Sequence, residues 1–437
     1  MRPDHTTAEI IAVGTELLLG GRTDTNSLSL TDWLAHDGYE VRYKTIVGDR
    51  EEDIVAAIRV AAARAGVILI TGGLGPTLDD RTRQALAAVT RRPLRRHLQA
   101  ARQLAAWLRA RGRPATEAQQ IQAMLPRGAS VLKNTVGSAP GCCLEWRGSL
   151  IGAMPGVPTE MAAMFEQGLR PLLRRRRAKT DSTVIRRQLL TYGLPEADLE
   201  AQVLDLIPDV PGVAFGTLAS ALGVSITLTY TPPRDGQPRR VLRRIKTSAT
   251  ATQVSPSQVI DRTLLAMRTR LGSLVYGEGT VSMEDVVGHL LRERRLTLAT
   301  AESCTGGLIG HRLTQVPGAS AYYNGGAVCY SNALKTSLLG VPEALFARHG
   351  AVSAEVASAM ADGVRVRTGS QIAVSVTGIA GPGGGSSEKP VGTVYIGLAV
   401  EGQPTQTERY QFHGPRDTIK TRAAQTALNW LRLTLTP

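Results

Sequence analysis

Short apolar runs alternate with amphipathic stretches in the first part of the chain. AEIIAVG from Ala8 predicts a strand, and NSLSLTDWLAHDG from Asn26 predicts a helix that stops at Gly38. YEVRYKTIVG, EEDIVAAIRVAAARAG and VILITGG then predict a strand, a helix and a buried strand. This alternation predicts a parallel sheet covered on both faces, with ligands at the carboxyl ends of its strands.

The pattern changes at about residue 180 and returns at about residue 280. RRQLLTYGLPEADLEAQVLDLI predicts a strand, a turn and a helix, GVSITLTYTPP predicts an alternating strand, and the polar segment 234–258 is irregular. Ser282 and Asp285 predict a capped helix start. LTLATAE, GGAVCYS, QIAVSVTG and GTVYIGLAV predict strands, and helices are predicted from Asn332, over SAEVASAMADGVRVRTG and from Asp417. We predict an α/β protein: two three-layer domains, 1–178 and 279–437, joined by a small α+β module, 179–278.

Composition fits a folded chain. The chain has 437 residues, of which 43% are apolar and 20% charged, so two or three domains are expected. It has no run of 18 apolar residues and no apolar core of a secretion signal near its start, which predicts a cytoplasmic protein. Cys142 and Cys143 are adjacent, which predicts reduced thiols rather than disulfides or paired zinc ligands.

The formal charge of +14 leaves two interpretations open. A basic footprint is what nucleic-acid binding requires. The excess is nearly all arginine, however, in the scattered runs RRPLRR, RRRR, RRVLRR and RERR, and none is interleaved with aromatic residues for base stacking. We favour solvated helix faces over a DNA site.

The stretch TAESCTGG places Ser303 where a strand gives way to a helix. Backbone N–H groups and the positive helix end converge there, so an anion or an oxyanion is expected to be stabilised. A hydroxyl still needs a base to become a nucleophile. The domain's histidines have no acidic partner at a motif position, so a Ser/His/Asp triad is poorly supported; they are His289, His311, His349 and His413.

The segment CYSNALK offers a different base. It places Tyr330 at a strand end, Asn332 as the expected helix cap and Lys335 on the first turn. Lysine serves as a base only if burial lowers its pKa, and arginine cannot replace it. A surface lysine is the alternative on spacing alone. Cys304 and Cys329 are expected to be small buried hydrophobic residues.

Two glycine-rich loops follow buried strands. TGIAGPGGGSSEKPVGT could wrap a phosphate with its N–H groups, or form a hairpin without function; it lacks the Gly-Lys-Ser/Thr ending of a Walker loop. TGGLGPTLDD places Asp79 and Asp80 after a strand, with Glu16, Asn26 and Glu160 as further oxygen ligands. Carboxylates at strand ends suit a magnesium and phosphate site, although either aspartate could instead cap the next helix.

Several stretches together resemble the CinA family, the competence/damage-inducible proteins. They are TAESCTGG, YSNALKTSLLGV, HGAVSAEVA, VTGIAGPGGGSSEKPVGTVYIGLA, GTELLLGGRTDTNS and TGGLGPTLDDRT, in one order over essentially the whole chain. The resemblance implies a C-terminal amidohydrolase that converts nicotinamide mononucleotide to nicotinate mononucleotide and ammonia. Ser303 would be its nucleophile, assisted by Tyr330 and Lys335, with no cofactor.

For the N-terminal domain the resemblance implies a molybdopterin-binding-like fold and metal-dependent hydrolysis of ADP-ribose to AMP and ribose 5-phosphate. The metal is expected to be divalent, such as Mg²⁺, with K⁺ as a further candidate, and its ligands to be Asp79, Asp80 and Glu160. The residues expected to bind substrate in the C-terminal domain are Thr305, Gly306, Gly307, Asn332, Thr377, Gly378, Gly381, Gly383 and Gly384. Those expected in the N-terminal domain are Gly14, Glu16, Asn26, Gly72, Gly73, Gly75, Pro76 and Thr77.

Other functions stay open at this point. The first domain could handle molybdopterin instead of cleaving ADP-ribose. The chain could also be a non-enzymatic adaptor for DNA or recombination proteins, although a scaffold needs no Ser303, Tyr330 and Lys335 together. Expected partners are nicotinamide mononucleotide, ADP-ribose and a second copy in a homodimer, with no membrane.

Overall fold

The protein forms two compact units. A computed structural model describes residues 6–114, 116–177, 184–231 and 255–436. The described residues up to Arg186, with Val210–Ala214 and a few residues from Thr229 onward, make the first unit. The second unit contains Arg187–Asp209, Phe215–Leu228 and the rest of the described chain.

The first unit alternates helices and strands from its start. Its elements are β1 Thr7–Val13, α1 Thr15–Leu18, α2 Thr25–His36, β2 Glu40–Val47, α3 Glu51–Arg64, β3 Val67–Thr71, α4 Thr82–Thr90, β4 Leu94–Arg96, α5 Leu98–Arg109, α6 Glu117–Gln120, β5 Met124–Pro126, β6 Ser130–Leu132, β7 Gly141–Trp146, β8 Ser149–Met154, α7 Pro158–Met164 and α8 Arg170–Arg177. A π-helical turn, Phe165–Leu169, joins α7 to α8. The predicted elements from β1 to β3 are confirmed.

The main sheet of this unit is mixed. Its strand order is β2-β1-β3-β8-β7-β6. Strands β1, β2, β3 and β8 are parallel to one another, and β7 is antiparallel to both of its neighbours, β8 and β6. Between β7 and β8, Arg147 and Gly148 form a two-residue turn with φ of 53° and 86°. Such a turn matches the twist of antiparallel strands. The predicted parallel pairing of β1, β2 and β3 is confirmed, whereas the antiparallel edge was not predicted.

The second part of the chain carries two sheets. Its elements are β9 Ile185–Thr191, α9 Glu196–Val203, β10 Val213–Ser220, β11 Gly223–Tyr230, α10 Pro256–Leu271, β12 Val275–Glu278, α11 Met283–Arg294, β13 Leu298–Glu302, α12 Leu308–Gln315, β14 Tyr323–Val328, α13 Asn332–Leu339, α14 Glu343–His349, α15 Ala354–Thr368, β15 Ile372–Gly378, β16 Thr393–Val400, β17 Gln406–Gln411 and α16 Arg416–Leu435. The small sheet has the order β10-β11-β9-β12. Most of the polar segment predicted to be irregular lies outside the described residues, and from Pro256 the chain is helical.

The larger sheet has helices on both faces. Its order is β14-β13-β15-β16-β17. Strands β13, β14 and β15 are parallel to one another, and β16 is antiparallel to both of its neighbours, β15 and β17. One face packs against α11, α12 and α16, and the other packs against α15. This confirms the predicted three-layer α/β fold. The capping box of Ser282 and Asp285 is also confirmed, whereas the strand predicted as GGAVCYS lies earlier, at Tyr323–Val328.

The structure also shows the state of the cysteines and of one arginine run. All four cysteines are free and buried, as expected for reduced thiols. In the RRRR run, Arg174 pairs with Asp37 at 3.0 Å and Arg176 pairs with Glu145 at 2.7 Å, so part of this basic run is neutralised within the unit. No helix in the described part of the chain is long and apolar enough to cross a membrane.

Candidate functional site

In each large sheet, one strand lies between the two strands that follow it along the chain. In the first unit β2 and β3 lie on opposite sides of β1, and in the second β14 and β15 lie on opposite sides of β13. Parallel strands leave a crevice at such a switch point, and α/β proteins bind ligands there. The residues that follow β1 and β13 are therefore at the edges where chemistry is expected.

The carboxyl end of β13 brings Ser303 to a cavity of about 180 Å³. The Ser303 N–H donates to the Val376 carbonyl at 2.9 Å, which holds the residue as an extension of the strand. Tyr330 and Thr377 line the same cavity because the three parallel strands end at one edge. Lys335 is also in its lining, so the structure brings the predicted Ser303, Tyr330 and Lys335 together.

Lys335 is buried. It lies on the first turn of α13, and only 2% of the residue is exposed, which excludes a surface lysine. Burial lowers the pKa of Lys335 because the charged ammonium loses its hydration. No carboxylate is among the residues that line the cavity, so nothing there offsets this loss with opposite charge. An amine in this position is suited to accept a proton.

Two buried thiols flank this lysine. Cys304 is 5% exposed and Cys329 is fully buried. Burial raises the pKa of Cys304 to about 12 and also raises the pKa of Cys329. Both stay protonated at neutral pH, so Cys304 is a poor nucleophile beside Ser303. The prediction that both cysteines are small buried residues is confirmed.

Two N–H groups at the N-terminus of α12 are occupied by an acid of the preceding strand. The Glu302 carboxylate is 1% exposed and accepts from the Ile309 N–H at 3.1 Å and the Gly310 N–H at 2.8 Å. This acid takes up part of the positive potential at the helix end, and the oxyanion site expected at the turn before the helix stays a prediction. Sequence spacing gave no sign that Glu302 turns back onto this helix.

The turn between β13 and α12 still carries a polar group without a partner. The Thr305 hydroxyl oxygen is buried and has no hydrogen-bond partner. Gly306 and Gly307 have φ of 65° and 93°, a conformation that favours glycine. The Gly306 N–H is used within the turn, since it donates to the Ser303 carbonyl at 3.1 Å.

Arg416 is a site residue that sequence reasoning missed. It is the first residue of α16 and lines the cavity. Its guanidinium donates to the Tyr330 hydroxyl at 2.8 Å and to the Gly381 carbonyl at 2.6 Å. The guanidinium therefore fixes both Tyr330 and the start of the glycine-rich loop. Arg416 lies 86 residues beyond Tyr330 in the sequence, so no local motif connects the two residues.

Some of the remaining predicted residues line the cavity and others lie outside it. Asn332 lines the cavity but is not the helix cap, because the Ser331 hydroxyl accepts the Leu334 N–H at 3.2 Å. Gly378 lines the cavity, whereas Gly383 and Gly384 are exposed and outside its lining. Ala351, Val352 and Ala380 line it without having been predicted.

Two histidines have acidic partners, but neither belongs to the cavity. His289 lies 3.2 Å from Glu293, and His349 lies 3.4 Å from Glu355. None of the four residues lines the cavity with Ser303. A Ser/His/Asp triad is therefore not formed at this site.

In the first unit, Asp80 organises the loop after β3. Its Oδ1 accepts from the Gly75 N–H at 2.7 Å, and its Oδ2 accepts from the Thr77 N–H at 2.9 Å and the Thr77 hydroxyl at 2.5 Å. The residue before α4 is Arg81, and it makes no side-chain capping bond. The alternative that Asp80 caps that helix was therefore wrong. Asp79 is exposed, and the nearby Thr77 hydroxyl lowers its pKa.

Glycines let three loops of the first unit approach one another. Gly72 has a φ of 101°, and a Cβ there would lie 2.1 Å from the Val13 carbonyl oxygen. Asn26 donates to the Gly156 carbonyl at 2.8 Å, and its own Oδ1 is buried without a hydrogen-bond partner. Gly156 in turn faces the Cα of Gly72. These residues thus surround the carboxyl ends of β1, β3 and β8.

The first turn after β1 is held by an acid that sequence reasoning did not select. Asp49 accepts from the Thr15 N–H at 2.9 Å and from the Thr15 hydroxyl at 2.6 Å. The predicted Glu16 is exposed and lies over Gly14, where a Cβ would be 2.7 Å from its carboxylate oxygen. Pro76 is also exposed.

The three predicted metal ligands do not gather into a set. Glu160 accepts from the Asn134 side chain at 2.6 Å and lies against Gly137, while both oxygens of Asp80 are occupied by its own loop. Within the ranges that the structure describes, no three His, Cys, Asp or Glu side chains could hold a metal ion together. A divalent ion would need further oxygens from a bound phosphate, as Mg²⁺ often does. The metal stays a prediction.

Removing the Asp80 carboxylate is expected to destabilise this loop. We expect Asp80→Ala to lower the free energy of unfolding of the first unit by about 1 to 2 kcal/mol, because three donors lose a charged acceptor. Denaturant unfolding measures the change. The matched control is Asp79→Ala next to it, with a smaller expected loss; equal losses in both variants would contradict the role given to Asp80.

The fold and the two crevices define the class of protein. It is a two-domain α/β protein whose first domain gathers glycine turns at one sheet edge and whose second places a serine and a buried lysine in one cavity. Residues 9–175 match the family described as "Probable molybdopterin binding domain", and residues 280–435 match the "CinA C-terminal domain". The chain belongs to the CinA family.

Two curated relatives of similar length support this membership. The chain is 39% identical to a "Putative competence-damage inducible protein" of Symbiobacterium thermophilum, over 97% of this chain and 98% of the relative. It is 41% identical to a "CinA-like protein" of Geobacter sulfurreducens, over 97% of both chains. Among solved structures, a competence/damage inducible protein from Agrobacterium tumefaciens is 38% identical and covers 35% of this chain and 93% of its own, with a TM-score of 0.34.

Proposed function

We propose that the second unit is an amidohydrolase that converts nicotinamide mononucleotide to nicotinate mononucleotide and ammonia. The observation that carries the proposal is the buried Lys335, whose pKa is lowered by burial, in one small cavity with Ser303. A neutral amine can take the proton of a serine hydroxyl, and a charged one cannot. The resemblance to the CinA family, stated above, supplies the substrate.

The reaction uses Ser303 and Lys335 in two halves. In the first, Ser303 Oγ attacks the carboxamide carbon, its proton passes to Lys335 Nζ, and the amine then protonates the leaving nitrogen, which departs as ammonia. In the second, Lys335 takes a proton from water, and the resulting hydroxide splits the acyl-serine ester. The proton returns to Ser303, and the carboxylic acid leaves and ionises, so that its proton converts the released ammonia to ammonium. Atoms and protons balance over the cycle without a cofactor.

The size of the cavity limits which part of the substrate enters. At about 180 Å³ it is smaller than the roughly 300 to 1,000 Å³ of sites that enclose drug-sized ligands. It has room for the carboxamide and its ring, while the ribose and phosphate lie at the mouth. Tyr330, which is 62% exposed, and the exposed Arg416 form that mouth. A guanidinium there suits a phosphate.

Replacing Arg416 is expected to weaken recognition of the phosphate. We expect Arg416→Ala to lower kcat/KM for nicotinamide mononucleotide about 10- to 100-fold, since a charge-assisted hydrogen bond is lost. The loss with nicotinamide riboside, which lacks the phosphate, should be smaller, because it comes only from the lost hold on Tyr330. The exposed Arg348 offers the control variant Arg348→Ala. Equal losses with both substrates after Arg416→Ala would show that the phosphate does not contact this residue.

Ammonia release tests the proposal directly. Purified protein incubated with nicotinamide mononucleotide should release ammonia and nicotinate mononucleotide in equal amounts. Nicotinic acid mononucleotide cannot be deamidated and serves as the substrate control. Absence of ammonia with folded protein would reject the proposed reaction.

For the first unit we propose hydrolysis of ADP-ribose to AMP and ribose 5-phosphate, assisted by a divalent ion. The supporting observations are the glycine turn at Gly72, the buried and unpartnered Asn26 Oδ1 and the loop that Asp80 holds open. Asp79 and Glu160 are the carboxylates that could share an ion with a bound diphosphate, and the ion would neutralise charge on that group. AMP release from ADP-ribose with and without Mg²⁺ tests this activity. Binding of molybdopterin without any AMP release would favour the alternative.

A further inference from the structure

We propose that the second unit carries another ligand site, for a nucleoside or nucleotide, in a cavity between the small sheet and helix α16. The cavity has a volume of about 880 Å³, which is in the range of small-molecule sites. It shares no lining residue with the cavity of Ser303. The inference does not depend on the proposed hydrolase activity.

Aromatic rings are concentrated in this cavity. The chain has only 4 tryptophans, 10 tyrosines and 4 phenylalanines, yet four of these rings line one cavity. They are Tyr192, Tyr410, Phe412 and Trp430, and all four are half-buried. The Tyr410 and Phe412 rings are nearly parallel, with centroids 5.8 Å apart and planes inclined by 6°. Rings held in this way present flat faces on which a base can stack.

Polar groups surround the rings. The Tyr192 hydroxyl shares a hydrogen bond of 2.6 Å with the Thr426 hydroxyl. Arg422 lines the cavity, and one of its nitrogens donates to the His413 carbonyl at 3.1 Å. A guanidinium has five N–H donors, so others are available to an anion. Glu196 and Glu408 line the cavity too and offer acceptors to sugar hydroxyls.

This combination selects the class of ligand. A purely apolar ligand would cover the half-buried Glu196 and Arg422 without giving their charged groups a partner, which is unfavourable. A sugar phosphate without a base would leave the rings unused. A nucleoside or nucleotide uses both sets of groups, with the base against the rings, the ribose near the carboxylates and any phosphate near Arg422.

Helix α16 links this cavity to the other one. Its first residue, Arg416, lines the Ser303 cavity, and Trp430 further along it lines the aromatic cavity. Ligand binding against Trp430 therefore acts on the same rigid element that holds Tyr330 through Arg416.

Tryptophan fluorescence of the full chain tests the site. Trp430 is the one tryptophan of the second unit, since Trp33, Trp107 and Trp146 precede residue 187. We expect adenosine and AMP to change the emission saturably, and ribose 5-phosphate to leave it unchanged. The change should be lost in Trp430→Phe. A change that persists in Trp430→Phe, or no change with either ligand, would overturn the proposal.

A second variant separates this site from the other nucleotide crevices. Ala219 is exposed and lines the aromatic cavity, so Ala219→Trp fills it from the edge strand β10. Ala347, exposed on α14 and outside the lining, gives the control Ala347→Trp. By calorimetry, we expect Ala219→Trp to weaken AMP binding at least tenfold and Ala347→Trp to leave it unchanged. AMP binding equal in both variants, or emission that follows protein concentration instead of nucleotide, would overturn the proposal; the second result would indicate an interface between copies.

Discussion

Ser303→Ala is expected to lower kcat for ammonia release from nicotinamide mononucleotide by at least about 10⁴-fold, the scale seen when a serine hydrolase loses its nucleophile. Ser303 is held at the end of β13 by its backbone bond to Val376, and its side chain faces the same cavity as Lys335. Loss of one hydroxyl oxygen should leave the fold intact, because the backbone bond is unchanged. Stopped assays of ammonia and a melting curve measure both quantities.

Cys304→Ala is the matched comparison for this variant. Cys304 is adjacent in sequence and lines the same cavity, but burial raises the pKa of its thiol to about 12. We expect kcat to fall by no more than about tenfold, from the small change in packing around Lys335. A loss in Cys304→Ala as large as that in Ser303→Ala would contradict the assignment of the nucleophile.

Lys335→Met is expected to lower kcat by about 10³-fold, within the range that general-base catalysis contributes. The methionine side chain has a similar length and fills the buried position, but it cannot accept a proton. Lys335→Arg should be equally inactive, because arginine is never deprotonated in proteins. Substantial activity in either variant would show that another group takes the serine proton.

Lys335→Met should also stabilise the protein at neutral pH. The pKa of Lys335 is lowered in the folded state, so a charged amine there opposes folding at any pH below the folded pKa. The penalty fades as pH rises from the folded pKa toward the usual lysine value of about 10.4. We expect Lys335→Met to melt about 2 to 4 °C higher, the shift that about 1 kcal/mol gives a domain of 150 to 250 residues. Exposed Lys133 provides the control Lys133→Met, with no gain expected.

Periodicity predicted the elements whose burial follows a simple rule. Strand β3 is buried at all five positions and is an apolar run in the sequence, and α15 lies within the predicted helical stretch SAEVASAMADGVRVRTG. The antiparallel edge strands could not be predicted in this way. β17, with the sequence QTERYQ, is mostly exposed and is a strand because β16 offers it hydrogen-bonding partners. Such pairing is a tertiary effect that local propensity does not encode.

The sequence predicted those residues of the candidate site that lie at the ends of parallel strands. Ser303 and Thr377 come directly at the ends of parallel strands, so topology alone brings them together. Arg416 could not be placed from the sequence, since its position depends on how α16 crosses the sheet. The role of Glu302 was missed for a related reason. A strand acid can turn back onto the next helix, and only the backbone path shows that it does.

The first unit shows the limit of reading acids as ligands. Asp79 and Asp80 look alike in sequence, yet Asp80 is committed to its own loop and Asp79 is exposed. Asp49, which follows β2 and was not selected, holds the turn at Thr15. Hydrogen bonds to nearby backbone decide which carboxylate remains available to a ligand, and these depend on loop conformation.

The pH dependence of ammonia release by the unmodified protein tests the central claim most directly. If a buried, neutral Lys335 activates Ser303, kcat/KM for nicotinamide mononucleotide should rise with pH through a pKa below the usual lysine value and then level off. A rate that rises only near pH 10, or that falls over the same range, would contradict the account.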